Sequence, residues 1–551
     1  MAAKVNNLVH ISFFAGGFWS HAKSALHYSI TLCRHSPNLV ISLSLSEEIA
    51  GKAKAAIDRM LEEETPNAEA AIDVRARLNL VPLITPHDYE CPPELVSTPV
   101  DCFKAASAAF AVYWDCIHRE PQDLPRPSLL IVDVLTVYEP EQIKSVNDVP
   151  ILFWWPMNLN YFAYHFGPDQ SGGLRPAYAK ACETITDREL LYCAMERVFN
   201  STSSEVARTG DLRPFHHYEQ LCLRVPDMPG AGVFTHTAAS NALQKADGHI
   251  ICSGSWLEPN ACKILKSYYG NTLRKPTYCA NLRVSMTDDR TSTAFPQNGI
   301  AGRSPSESDI LSFLDKALEK DGPDSVFYLS WGTVFCPSAN LWQVDVFLDV
   351  MIENNQPFIM SQATIAAFMN PGLEERLEKA QKAGICATAA WVPQEAILKH
   401  KALGAFITHG GWNSTSEAIA AAKPMIYWPL DSDQPFVAMH FADGPEPAAW
   451  QLYETRGPTI SEFRPYHFRD GPKTSATGES IPVPTGTPEA LRIEFERVFL
   501  REAAAGSSEL EKRKERMVAL RQQFIESRQP GGETQRAISD LLTPLGCQIR
   551  A

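Results

Sequence analysis

Residues 391–434 read WVPQEAILKHKALGAFITHGGWNSTSEAIAAAKPMIYWPLDSDQ, and the order of residue types in this stretch decides the fold. An apolar run, Ala405 to Thr408, ends at His409-Gly410-Gly411, after which Trp412-Asn413-Ser414 opens a segment of helical period. A strand that turns at glycines directly into a helix is the unit from which parallel sheets are wound. Glycines at such a turn let backbone N–H groups approach an anion, and the helix N-terminus adds a favourable dipole. His409, Asn413 and Ser414 can add side-chain donors to a diphosphate, and Trp391 offers a flat face for a nucleobase.

The same style extends outward. Short runs rich in Val, Ile and Leu alternate with longer stretches of helical period, the pattern of parallel strands joined by crossover helices. Strands are expected near 7–14, 38–45, 78–84, 128–134, 149–155 and 249–255, and again near 325–331, 356–361, 385–390, 404–408 and 424–428. Residues 284–308, rich in Ser, Thr, Asp and Gly, read as a linker. The expected architecture is therefore α/β: two Rossmann-like, doubly wound domains facing each other across a cleft, the first over 1–283 and the second over 309–525. Residues 443–488 carry many prolines and glycines and little periodicity, so they read as a long loop of the second domain. Leu510, Met517, Leu520 and Phe524 share one helical face, and 526–551 is expected to form a helical tail that packs back on the N-terminal domain.

Composition excludes several classes. Of the 551 residues 45% are apolar and 21% charged, close to the averages of folded soluble proteins, so a disordered, collagen-like or coiled-coil chain is ruled out. A formal charge of -14 gives no long-range pull toward phosphate backbones or anionic membranes, so nucleic acid is not the expected partner. No apolar stretch reaches the about 18 residues of a spanning helix, so no integral membrane segment is expected. The start, MAAKVNNLVHISFF, leads into a strand rather than a cleaved leader. The 13 cysteines are odd in number, scattered and free of any CxxC pair, which fits a reducing cytoplasm.

Taken singly, the residues of 391–434 have bland readings. Ser414-x-x-Glu417 also fits a capping box, a lone Trp391 is commonly core, and Asp433 can be a loop cap. Their joint spacing points elsewhere. Trp391, Gln394, His409, Gly411, Trp412, Asn413, Ser414, Glu417, Pro424, Pro429, Asp433 and Gln434 together resemble the donor-binding signature of the UDP-dependent glycosyltransferases of secondary metabolism, enzymes of the GT-B fold. The resemblance implies Trp391 stacking on uracil, Gln394 and Glu417 holding ribose hydroxyls, and His409, Asn413 and Ser414 holding the diphosphate. It brings Trp412 into the same donor set and gives Asp433 and Gln434 to the sugar hydroxyls. Ser330-Trp331-Gly332-Thr333 resembles the family's Phe-Gly-Ser turn, with Thr333 supplying a hydroxyl to the phosphate.

In the first half the resemblance rests on fewer residues. Ala15 to Ser24, AGGFWSHAKS, is a glycine turn entering a helix, where the family places its catalytic histidine; it implies His21 as general base. The family's orienting aspartate follows a strand that here reads Leu129 to Asp133, so Asp133 is implied as partner of the imidazole. Phe14, Phe18, Trp19 and Trp155 form the expected acceptor pocket, suited to a small lipophilic molecule such as a terpenoid, sterol or phenolic. The expected reaction is an inverting transfer from a UDP-sugar as co-substrate. No cofactor and no metal are expected, because the one Asp-x-Asp near the donor segment, Asp431-Ser432-Asp433, is already given to the sugar. Gln434 favours glucose. Trp155 stands where the family commonly has Thr, which keeps a pentose such as xylose in view. Two other readings stay open: a protein that binds UDP-sugar without transferring it, and a P-loop NTPase. Gly17 to Ser24 matches the P-loop pattern except that Ala22 replaces its second glycine.

Overall fold

The computed structural model of the chain describes residues 7–15, 17–65, 67–84, 98–119, 123–136, 140–171, 174–199, 203–221, 231–281, 307–475 and 478–550. Most of the expected linker 284–308 lies outside the described residues. The strands in chain order are β1 (Val9–Phe14), β2 (Leu39–Ser46), β3 (Leu78–Leu83), β4 (Leu129–Asp133) and β5 (Ile151–Trp155), then a short pair, β6 (Val206–Ala207) and β7 (Phe215–His216), then β8 (Gly248–Ile251) and β9 (Thr277–Cys279). They continue as β10 (Val326–Ser330), β11 (Phe358–Ser361), β12 (Cys386–Ala389), β13 (Leu403–Thr408), β14 (Met425–Tyr427) and β15 (Ala449–Gln451), with a last short pair, β16 (Lys473–Thr474) and β17 (Ser480–Ile481).

The chain divides into two compact units. The first comprises Met1–Phe199, Asp227–Ser285 and Ile525–Ala551, and the second Asn200–Pro226 and Met286–Phe524. Within the first unit seven strands pair in the order β3-β2-β1-β4-β5-β8-β9, every neighbouring pair parallel. Within the second, six parallel strands run β12-β11-β10-β13-β14-β15. Strands such as VHISFF, LLIVD and ILFWW are buried along their whole length. Continuous burial is what a sheet covered by helices on both faces requires, and it explains why these strands read as unbroken apolar runs. The second unit closes on an aromatic centre in which Phe347, Phe358, Trp428, Phe495 and Phe499 are buried together.

The structure departs from the sequence reading in three places. Residues 200–226 belong to the second unit, whereas the sequence alone places them in the first domain, expected over 1–283. Their β6–β7 hairpin is fastened there by Arg213, which donates from Nε to Asp443 Oδ2 at 2.6 Å and from Nη2 to Glu219 Oε2 at 2.8 Å. Second, 443–488 is not a bare loop: it contributes edge strand β15, the β16–β17 hairpin and a small core of Tyr453, Ile460 and Phe468. Its apolar residues are spaced by short 3₁₀ turns and prolines, so neither a period of 3.6 nor of 2 shows. Third, β9 and β15 are edge strands of three residues each, too short to stand out as apolar runs.

The C-terminal segment of the first unit is tied to that unit by specific bonds. Glu533 Oε2 accepts from Ser255 N at 2.7 Å and from Ser255 Oγ at 2.9 Å, Asn281 Nδ2 donates to Ser527 Oγ at 2.6 Å, and Gln548 N donates to Asn38 Oδ1 at 2.8 Å. Among the described residues no helix is long and apolar enough to cross a membrane.

Arg213 bonds both Glu219 and Asp443, whose side chains are almost wholly buried. Replacing it with Met removes a countercharge shared by two buried carboxylates. Arg213→Met is therefore expected to cost about 3–5 kcal/mol of stability, read as a fall in the urea midpoint; a midpoint within error of the parent would refute the stapling role.

Candidate functional site

In the second unit the residues of 391–434 gather at the C-terminal ends of the strands. His409 to Gly411 follow β13, and the helix Trp412–Ala420 starts with Gly411 as its N-cap and no side-chain capping bond. The N–H groups of its first turn are thus not claimed by a side-chain cap. This overturns the capping-box reading: Ser414 stands inside the helix, and Glu417 Oε2 instead accepts from Gln394 Nε2 at 2.7 Å. Gln394 is oriented in turn by the hydroxyl of Tyr328, which donates to its Oε1 at 2.9 Å, and it reaches Ser414 Oγ at 3.3 Å. Trp391 is 42% exposed, so it is not a core residue. Trp412 is buried at the start of the helix, while Asn413 is half-buried. Thr333 lies exposed in the turn after β10.

The ring of His409 is wedged between two turns. A Cβ added to Gly332, whose φ is +76°, would stand 2.7 Å from its Cε1, and one added to Gly411 would stand 2.4 Å from its Nε2. Only glycine leaves room for an imidazole at both places. Burial pushes the His409 imidazole down to about 4, against a smaller opposing influence of the Ser330 backbone. At neutral pH it therefore offers one N–H and no charge. Asp433 and Gln434 are buried at the start of the helix Gln434–Ala442. Gln434 Oε1 accepts from Leu430 N at 2.8 Å and Asp431 N at 3.1 Å, leaving its amide nitrogen to donate.

In the first unit His21 lies in the first turn of the helix Trp19–His35, and Asp133 ends β4. His21 Nδ1 is 2.8 Å from Asp133 Oδ2 and 3.1 Å from Oδ1. Asp133 is fully buried and also accepts from Leu135 N at 2.8 Å, which fixes the carboxylate. A carboxylate only accepts, so Nδ1 carries the proton and Nε2 holds the lone pair.

Residues 322–446, from just before β10 into the segment after the helix Gln434–Ala442, match the family described as UDP-glucoronosyl and UDP-glucosyl transferase. The chain is 24% identical over 501 residues to UDP-glycosyltransferase eriJ of Hericium erinaceus, covering 89% of this chain and 90% of that protein. Residues 322–446 thus carry a UDP-glycosyltransferase domain match, and the chain has the GT-B fold. A shorter match, 33% identical over 196 residues, joins 34% of the enzyme to 36% of UDP-glycosyltransferase 73D1 of Arabidopsis thaliana. In fold the enzyme is similar to Medicago truncatula UGT71G1 complexed with UDP-glucose, with a TM-score of 0.66 at 16% identity over 98% of this chain and 99% of that one. It is likewise similar to Phytolacca americana UGT2 complexed with UDP-2fluoro-glucose and pterostilbene, with a TM-score of 0.61 at 16% identity over 98% and 100% of the two chains.

The enzyme's aromatic residues divide. Phe18 and Trp19 are partly exposed beside His21. Phe14 is fully buried and stacks on Phe110 at 4.3 Å. Trp155 is fully buried among Tyr161, Phe162 and Phe166, its indole N–H donating to Asn158 O at 3.2 Å. Phe14 and Trp155 thus have no accessible face to offer an acceptor, a correction to the pocket expected from sequence: apolar residues at strand ends are claimed first by the core. Sequence reasoning missed Tyr328, whose hydroxyl orients Gln394. Its signal was its position two residues before Ser330 on the same face of β10.

The depressed His409 has a consequence for stability. Its folded value of about 4 lies below the ordinary 6.5, so the unfolded chain takes up the proton first and stability falls as pH drops from about 6.5 to about 4. The expected loss is roughly 2–4 kcal/mol, read from urea midpoints at pH 7 and pH 4.5. In His409→Gln that pH-dependence should shrink, and an equal dependence in both proteins would contradict the assignment.

Proposed function

We propose that the enzyme transfers a sugar from a UDP-sugar to a hydroxyl group of a small lipophilic acceptor, with inversion at the anomeric carbon. The observation that carries this reading is the His21–Asp133 pair, 2.8 Å from Nδ1 to Oδ2. With Nδ1 committed to Asp133, Nε2 is the atom that takes the acceptor's proton as its oxygen attacks the anomeric carbon. The imidazolium so formed is stabilised by the buried carboxylate. UDP departs from the opposite face of the sugar. The charge that develops on its diphosphate is met by the N–H groups that begin the helix Trp412–Ala420 and by His409, Asn413, Ser414 and Thr333. This route calls on no metal ion and no cofactor.

In the same proposal uracil stacks on the exposed Trp391, and the ribose hydroxyls join the Gln394–Glu417 pair. Trp412 serves the donor at the helix start, and Asp433 with the Gln434 amide bonds the sugar. Glucose is the favoured donor because of Gln434. UDP-xylose is the alternative, since Trp155 stands where the resembled family commonly has Thr. Phe18 and Trp19 favour a flat or polycyclic acceptor such as a terpenoid, sterol or phenolic. The described cysteines are free thiols, which supports a cytoplasmic enzyme.

A mass-spectrometric screen of UDP-sugars against an acceptor library would identify both substrates. With the best pair, His21→Ala is expected to bind UDP as the parent does while losing transfer by about 10²–10⁴-fold. Unchanged turnover would remove His21 from its role. Asp133→Asn, which presents an amide where the imidazole needs a carboxylate, is expected to lower kcat by about 10³–10⁴-fold with KM for the UDP-sugar little altered.

A further inference from the structure

Away from the residues discussed so far, the first unit brings two thiols together. Cys262, in the helix Pro259–Leu265, and Cys279, the last residue of edge strand β9, are 17 positions apart in the chain, and their buried sulfurs are 3.5 Å apart. Lys266, one turn beyond Cys262, is half-exposed and bonds Glu533 Oε1 at 3.2 Å, and that carboxylate lies 4.0 Å from Cys262 Sγ. The two thiols are not equivalent. The hydrogen bond from Cys279 holds Cys262 below its ordinary value, with Lys266 adding to the effect against burial, while the same bond and burial push Cys279 well up.

Two sulfurs and a carboxylate within reach of one another could also be thought of as metal ligands. The carboxylate is already spent. Glu533 Oε2 accepts from Ser255 N and Oγ, and Oε1 accepts from the Lys266 ammonium, whose positive charge opposes a second cation beside it. What remains is thiol chemistry between an activated sulfur and a protonated neighbour.

We propose that Cys262 and Cys279 form a peroxide-responsive pair, Cys262 reacting first and Cys279 resolving it to a disulfide. The Cys262 thiolate attacks one oxygen of hydrogen peroxide and the O–O bond breaks. Sulfenic acid forms, and the departing hydroxide takes up the proton that Cys262 released, giving water. The Cys279 sulfur then attacks the sulfenic sulfur and the S–O bond breaks. The second hydroxide leaves with the Cys279 proton as water. Two thiols and one peroxide give one disulfide and two waters: the cysteines lose two electrons and the peroxide gains them. A small oxidant suits the site, because both sulfurs are buried just behind the partly exposed Lys266 and Glu533.

The test uses the full-length enzyme, reduced, freed of reductant and pulsed with hydrogen peroxide, then alkylated with iodoacetamide, digested and mapped by mass spectrometry. A linked Cys262–Cys279 peptide that dithiothreitol dissolves is expected, against a background of the exposed Cys116, Cys182 and Cys193. Lys266→Met should slow the linkage about tenfold by withdrawing the countercharge from the thiolate. Cys279→Ser should let Cys262 run on to sulfinic acid. Absence of the linked peptide in the parent overturns the proposal, and so does a Cys262 that stays a thiol in Cys279→Ser. None of these readouts depends on the base or donor assignments.

Discussion

In a doubly wound sheet the strand order reverses once, and at that point the two neighbouring crossovers leave in opposite directions, so that no connection covers the strand ends. The reversal in the first unit lies between β1 and β4, and in the second between β10 and β13. Register makes the crevices level: Phe14 pairs with Val132, and Ser330 with Thr408. His21 follows β1 and Asp133 ends β4; Gly332 and Thr333 follow β10 and His409 follows β13. The chemistry of each unit is therefore set where its own topology leaves backbone ends uncovered. Moving either reversal by one strand would separate the paired residues by a further inter-strand spacing of about 4.8 Å, beyond hydrogen-bond reach.

Each crevice holds a histidine, and the two are treated in opposite ways. His409 is pressed between the turns at Gly332 and Gly411 and loses its hydration, which makes the cation costly and leaves a neutral N–H donor. His21 keeps 15% of its side-chain surface exposed and leans on a carboxylate with none. A buried carboxylate is tolerated only when its oxygens are bonded, and here His21 and the Leu135 N–H do so. The first arrangement suits a group that must donate without titrating. The second suits one that must accept a proton and carry the resulting charge.

Most of this fold was legible because strands buried on both faces write themselves as apolar runs: β1, β4, β5, β10 and β11 fall within the stretches read from sequence. The glycine turn after β13 was legible for a different reason. Its residues are neighbours in sequence, so a strand, two glycines and a helix start appear in a single segment. The His21–Asp133 pair was not. Its members are 112 positions apart, joined only by the adjacency of β1 and β4, and spacing alone carries no trace of that; the resemblance to a family did. Tyr328 was missed because a tyrosine on a buried strand is ordinary core until its hydroxyl partner, 66 positions on, is known. Phe14 and Trp155 were overread for the converse reason: aromatic residues at strand ends look alike whether they line a pocket or fill an interior.

The hairpin β6–β7 shows how a segment remote in sequence comes to brace the helix Gln434–Ala442. Phe215 packs edge-on against Phe436 at 5.5 Å, in the helix Gln434–Ala442, and Arg213 bonds Asp443, the C-cap of that helix. Asp443 is held again by the Tyr453 hydroxyl at 2.7 Å, so both the hairpin and the 443–488 segment converge on one helix end. A nine-residue helix is about 13 Å long and stiff. Clamping its last turn therefore constrains the tilt of its first, where Gln434 and Asp433 sit. An acid at the C-terminus of a helix is unfavourable against the dipole, and a buried one more so. Its presence at Asp443 is intelligible only because Arg213 arrives to neutralise it, so the transferred segment and the helix form one electrostatic unit rather than two neighbours in contact.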